Sequence, residues 1–372
     1  SINNHIMRTL LLLLIPAALL FGCRPKNAGA EQAASTETMA DKGPVQFETA
    51  VSDLRMRETP GEKGVIVATL PKGAKLEDLG EVSDFTTRVT LRGITFDEPW
   101  IKVKTSSGQT GWVYGGGLIF DASQNSPATR ALLQKRATAM LGQPLVESIN
   151  QHRRNWAATR SEADLSRLLE QSTALRDTIN EVLQRRIPPT SAEDMPDMFW
   201  LAELFTGFQP QLVAEGTAYY LFLDYRQWLA LSKKTKGVQD DIFMDLQIAA
   251  FPDDSIEYFF PAWQIQTWDY GGHCMLGSGV CKDLLSKINA QSSPDALFEQ
   301  PLQTMKTRIV SDLTQAETSF WHTAAEAGAE LDAILNAKFK VLTQADVVAL
   351  STLRDRLKDP AKHGIEAGKR NG

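Results

Sequence analysis

Residues 100–113 read Trp100-Ile101-Lys102-Val103-Lys104-Thr105-Ser106-Ser107-Gly108-Gln109-Thr110-Gly111-Trp112-Val113. A β-branched run, glycine punctuation and a second short apolar run follow one another within this window, which is the pattern of strands joined by tight turns. The same texture extends on both sides. Val65-Ile66-Val67 is β-branched and Thr87 to Leu91 alternates in part. Pro60-Gly61, Pro71-Lys72-Gly73, Ser107-Gly108 and Gly115-Gly116-Gly117 supply turn signals. Many short strands with glycine-bearing turns between about residues 45 and 120 predict a small all-β barrel. In so small a fold Trp100 and Trp112 offer large buried area from few residues, and core packing competes with a ligand groove as their role.

Four motifs in order carry a resemblance. Leu54-Arg55-Met56-Arg57-Glu58-Thr59-Pro60 is similar to an opening Leu-Asn-Val-Arg-x-x-Pro, with Arg55 in place of the asparagine. Ala68-Thr69-Leu70-Pro71-Lys72-Gly73-Ala74 is similar to a Leu-x-x-Gly turn. Trp100-Ile101-Lys102-Val103 and Gly108-Gln109-Thr110-Gly111-Trp112-Val113 are similar to a Trp-x-Lys-Val strand and a closing Gly-x-x-Gly-Trp-Val. Together they resemble the bacterial SH3-like (SH3b) domain, here assigned to residues 45–122, with a longer excursion at residues 80–97. The resemblance implies an SH3-like barrel and a module that docks to peptidoglycan or to a protein. Trp100, Trp112 and Tyr114 are the residues it offers for binding.

A second resemblance lies upstream. Met7-Arg8-Thr9-Leu10 begins a basic-then-apolar run that ends in Leu20-Phe21-Gly22-Cys23. The order resembles a bacterial lipoprotein signal peptide over residues 1–22, with cleavage before Cys23 and acylation of its thiol. The apolar run is shorter than the ~20 residues that a membrane span needs, and has the length of a signal h-region. Residues 23–44 are small, polar and of low complexity, which predicts a flexible tether. The expected setting is the cell envelope: a periplasm-facing protein held to the membrane through acylated Cys23.

The rest of the chain, residues 125–372, reads as helical. Leu165, Leu168, Leu175, Ile179 and Val182 share one seam, Ser161 is a candidate N-cap, and Pro188-Pro189 ends the segment. Further helices are expected at 127–142, 143–158, 210–234, 238–250, 296–327, 328–339 and 343–358. The fold class is therefore multidomain: a small β-barrel followed by an all-α bundle. With 372 residues, a net charge of −6 and three cysteines, the chain has room for two domains and lacks the basic balance of a nucleic-acid binder.

The densest chemical stretch is residues 251–281. Asp253, Asp254, Glu257, Asp269 and His273 are weak catalytic candidates, and Trp263, Trp268 and Tyr270 are candidate binding aromatics. The acids serve equally as first-turn acids of a helix near Ser255, and the tryptophans as core anchors. Cys274 and Cys281 are a possible disulfide pair. No ligand set with metal spacing, nucleotide loop or Gly-x-Ser-x-Gly elbow is present, so neither metal nor cofactor is assigned. Gly271-Gly272-His273 is similar to the Gly-x-His-x-x-Glu of imelysin-like proteins, but Leu276 stands where the glutamate belongs. A second aromatic patch, with Glu215, Tyr219, Tyr220, Asp224 and Trp228, is expected on one helix. His152, followed by Arg153 and Arg154, is expected on a solvated face, and His322 at the surface or in packing. The reading that absorbs most of this is a non-enzymatic binding or scaffolding lipoprotein. A cell-wall-active enzyme targeted by the barrel, and a barrel that only buttresses the helices, stay open.

Overall fold

The computed structural model describes residues 44–91, 94–121, 126–187, 191, 198–213, 216–252, 260–266, 272–315 and 318–368. The signal peptide, Cys23 and all of the tether but Pro44 lie outside these residues. Pro44–Gly372 forms one compact unit.

Seven strands come first: β1 (Gln46–Thr49), β2 (Leu54–Arg57), β3 (Ile66–Leu70), β4 (Lys75–Leu91), β5 (Ile94–Thr105), β6 (Thr110–Tyr114) and β7 (Leu118–Phe120). They make one antiparallel sheet in the order β3-β2-β6-β5-β4-β1-β7. Among the described residues no ladder joins β3 to β7, so these pairings do not close into the expected barrel. The excursion at 80–97 is the far end of the β4–β5 hairpin, with register shifts between Asp78 and Val82 and between Val82 and Thr86. Alternation along β5 and β6 sends Ile101, Val103 and Val113 into the core with Phe47, Met56 and Leu76.

Helices follow: α1 (Pro127–Leu141), α2 (Gln143–Ala158) and α3 (Glu162–Arg186). Their starts are local. Ser126 and Thr129 form a capping box, and the Ser161 hydroxyl accepts from the Asp164 N–H at 3.2 Å. Leu165, Leu168 and Ile179 of the expected seam are buried along α3 together with Leu169 and Leu183, while Leu175 and Val182 are partly buried against the same core.

Beyond α3 the all-α expectation needs correcting. A short 3-10 turn at Phe199–Leu204 leads into a hairpin of β8 (Phe208–Val213) and β9 (Ala218–Leu223), where one helix over 210–234 was expected. The hairpin's edge is completed from α3: Asn180 donates to Leu221 O at 3.0 Å and accepts from its N–H at 2.7 Å, and Gln184 donates to Tyr219 O at 2.6 Å. These amides satisfy backbone groups that a two-stranded ribbon leaves open. Asp224 caps the next helix, α4 (Tyr225–Ser232), by accepting from the N–H groups of Arg226 and Gln227. The aromatic patch is thus split across a hairpin and a helix start.

After α5 (Gln239–Ala250) a second small hairpin pairs β10 (Gln264–Gln266) with β11 (Gly272–Cys274). The remaining helices are α6 (Val280–Gln291), α7 (Glu299–Thr314), α8 (Ala324–Ala337) and α9 (Gln344–Arg356). The helix expected over 296–327 is broken. Phe320 is extended and buried, bridging to Cys274 and Ala367, and the Thr323–Glu326 capping box begins α8 afresh.

Sheet and helices share one continuous apolar core. Part of the contact between them is polar. Arg136 of α1 and Glu98 of β5 are both buried and meet at 2.6 Å. The guanidinium also donates to Gly115 O and Leu118 O at 2.6 and 3.1 Å and stacks over Phe120 and Trp200.

Candidate functional site

The β2–β3 connection begins at Glu58, whose N–H donates to Val65 O. Gly61 takes a φ of +107°, which glycine adopts at no steric cost. Gly64 is forced for a different reason: a Cβ there would lie 2.5 Å from Thr59 O. The loop so shaped faces β4. Thr59, Pro60, Gly61, Glu62, Lys63 and Gly64 form one wall of an open cleft of about 400 Å³, and Phe85 and Thr87 form the other. Phe85 is 44% exposed, unusual for a ring that size, and Val65 and Ile66 beside the loop are also exposed.

Thr87 is braced from behind. Its hydroxyl accepts from Trp100 Nε1 at 2.8 Å and its carbonyl accepts from the Tyr114 hydroxyl at 2.8 Å. Trp100 and Tyr114 are buried, with ring centroids 5.7 Å apart. Burial, with Glu98 nearby, pushes the Tyr114 phenol far above its ordinary value, so it is a fixed donor. Arg57 links the loop wall to the layer beneath: its Nη1 donates to Gly64 O at 2.6 Å, and its guanidinium lies 6.0 Å from the Trp100 ring. Trp112 pairs across strands with Arg57 and Lys102, is half-buried, and has the Lys102 ammonium 5.9 Å from its ring. Of the three SH3b aromatics expected to bind, Trp112 has accessible surface, while Trp100 and Tyr114 position the cleft from the layer beneath. Pro60 and Phe85 were read only as a turn residue and as part of an excursion; the exposure of an aromatic inside a β-run depends on pairing, which sequence does not display.

The other candidates lie elsewhere. Trp263 is fully buried and donates to Asp312 Oδ2 at 2.9 Å, which makes it a core anchor. His273 is half-buried, with Nδ1 2.6 Å from Ser319 Oγ. Asp253, Asp254, Glu257, Trp268, Asp269 and Tyr270 lie outside the described residues, as does Glu215. Cys274 and Cys281 are both buried free thiols in this structure, and Cys281 hydrogen-bonds to Cys274. That contact, then burial, raises the Cys281 thiol well above its ordinary value of 9.0. The loop between them is held by Glu330, whose carboxylate accepts from the N–H groups of Gly277, Gly279 and Lys282 at 2.5–2.9 Å.

His152 corrects its expected place on a solvated face. It is buried, with Nε2 donating to Thr206 O at 2.8 Å and Nδ1 3.2 Å from Ser172 Oγ. Burial lowers its pKa, against the Thr206 hydrogen bond. Its ring packs on Phe208 and Trp156, and Trp156 in turn packs on Trp228. His322 is buried.

Among the described residues no cluster of three or more His, Cys, Asp or Glu side chains is placed to hold a metal. No helix there is long and apolar enough to cross a membrane. Neither a curated protein nor a solved structure matches the chain. A family model described as bacterial SH3 domain does match residues 52–119, a span that contains both walls of the cleft. Residues 52–119, which supply most of the N-terminal sheet, are therefore an SH3b domain, followed in the chain by a mainly helical region.

Proposed function

We propose that this protein is a non-enzymatic docking protein of the bacterial cell envelope, whose SH3b cleft binds peptidoglycan. The observation that carries the reading is the cleft between residues 59–64 and Phe85, inside the matched domain and braced at Thr87 by two buried aromatics. An exposed ring opposite a proline suits apolar contact with a peptide or sugar face. Glu62 and Lys63 on the rim suit the amine and carboxylate groups of a peptide stem. Acylation at Cys23 anchors the protein, and the helical region carries the rest of its binding or scaffolding task.

The test is co-sedimentation of residues 44–372 with purified sacculi. The reading expects saturable binding, weakened about tenfold or more by Phe85→Ala, the loss of one well-packed aromatic contact, with the melting temperature unchanged. Absence of saturable binding, or a Phe85→Ala variant that binds as wild type, overturns it and moves the search to a protein partner.

A further inference from the structure

A second cavity lies outside the SH3b domain. A groove of about 550 Å³ lies among α3, α5 and α7, a size that suits a small organic ligand. Its floor is apolar: Leu169, Leu223, Phe243, Phe251 and Met305. A smaller cavity of about 300 Å³ adjoins it, and both are lined by Arg176, Tyr225 and Arg308.

Those three side chains bring hydrogen-bond donors that no described residue takes up. Arg308 stands over the rings of Phe251 and Trp263, at 5.6 and 5.7 Å. Its Nε lies 3.8 Å from Asp312 Oδ2, too far for a hydrogen bond. Arg176 gives Nε and Nη2 to Asp177, and its Nη1 has no hydrogen-bond partner among the described residues. The Tyr225 ring stacks on Phe251, and its hydroxyl has no hydrogen-bond partner among the described residues. Burial pushes that hydroxyl up to about 12, with Arg176 and Arg308 opposing the shift through their charge, so the two cations and the phenol share one neighbourhood. The acids on the wall, Glu170 and Asp177, belong to α3, and Asp177 is already paired with Arg176.

We propose that this groove binds a small anionic amphiphile: an aliphatic or aromatic body against the apolar floor, and one carboxylate, sulfonate or phosphate group on Arg308, Tyr225 and the free edge of Arg176. A guanidinium raised on aromatic rings, with no carboxylate among the described residues within hydrogen-bonding range, is poised for such an acceptor.

The probes are anilinonaphthalene sulfonate and its uncharged counterpart phenylnaphthylamine, titrated by fluorescence against residues 44–372. The sulfonate binds one saturable site and is displaced by decanoate or monodecyl phosphate; which of these competes better identifies the head group. Inorganic phosphate alone does not displace it, since the floor supplies the affinity. Tyr225→Phe and Arg308→Gln each weaken the sulfonate about tenfold, the loss of one charge-assisted hydrogen bond. They leave the uncharged dye unchanged. Tyr225→Phe keeps the ring and so guards against lost packing at Arg308. No saturable site, wild-type affinity in both variants, displacement by phosphate alone, or equal weakening of the uncharged dye overturns the proposal.

Discussion

The Arg136 guanidinium of the first helix and the Glu98 carboxylate of the SH3b sheet meet at 2.6 Å, both buried. Neither charge has water to fall back on, so the pair is a condition for the two regions to remain docked. The same guanidinium closes the carbonyls of Gly115 and Leu118, at the end of the SH3b strands.

Arg136→Met should cost about 3–5 kcal/mol, the usual result of leaving a buried charge without its partner. Burial raises the Glu98 pKa, and Arg136 opposes that shift. A raised carboxylate favours the fold below its ordinary value of 4.5 and works against it as pH rises. The deficit of the variant relative to wild type should therefore grow from acid to neutral pH. Urea unfolding of both proteins across that range checks it. Sheet and helix signals should also be lost together, because they share one core.

Lys306 and Asp346 form a second inward pair, at 2.8 Å, between α7 and the first turn of α9. Burial raises the Asp346 pKa, but the hydrogen bonds from Lys306 and Thr343 outweigh it, and the net shift is downward. A depressed carboxylate contributes stability above its ordinary value of 3.8 that is lost as pH falls through its folded value. Asp346→Asn should lose up to about 3 kcal/mol near neutrality. The gap to wild type should close in acid. Thermal melts at a series of pH values would show this convergence, and parallel curves would contradict it.

His152 makes an opposite demand on protons. Its pKa is lowered chiefly by burial, so the fold prefers the neutral ring. Stability should fall as pH drops through the unfolded value of 6.5, before the carboxylates titrate. In His152→Gln this early loss should disappear, although the variant is less stable at neutral pH because the aromatic packing on Phe208 and Trp156 is gone. Stability curves between neutrality and mild acid separate the two effects.

The thiols of Cys274 and Cys281 should be silent in the native protein. Both are buried, and the hydrogen bond between them holds Cys281 in its protonated form. At about pH 8 a disulfide reagent should react with neither thiol until the chain unfolds, because the thiolate is the reacting species. Thiol titration of residues 44–372 with and without denaturant measures this; rapid native labelling would mean that the β11–α6 region opens.

Much of the SH3b domain was legible because its signals are local. Pro60-Gly61, Ser107-Gly108 and the runs around Trp100 and Trp112 sit within a few residues of the strands they bound. Helix starts after Ser126 and Ser161 are equally local, since a cap needs only the next turn, whereas the start after Asp224 fell inside the helix expected over 210–234. The sequence alone therefore determined an SH3b-like β region followed by capped helices, and the seam that α3 buries. Tertiary structure decided the rest. β8 and β9 pair as a hairpin whose backbone Asn180 and Gln184 on α3 satisfy. His152 is buried because Thr206 and Phe208 return to meet it. The exposure of Phe85, the seat of Arg308 over Phe251 and Trp263 and the meeting of Arg136 with Glu98 each depend on partners far along the chain. Such contacts form only once chain entropy has been overcome by the assembled core, and no periodicity near the residue records them.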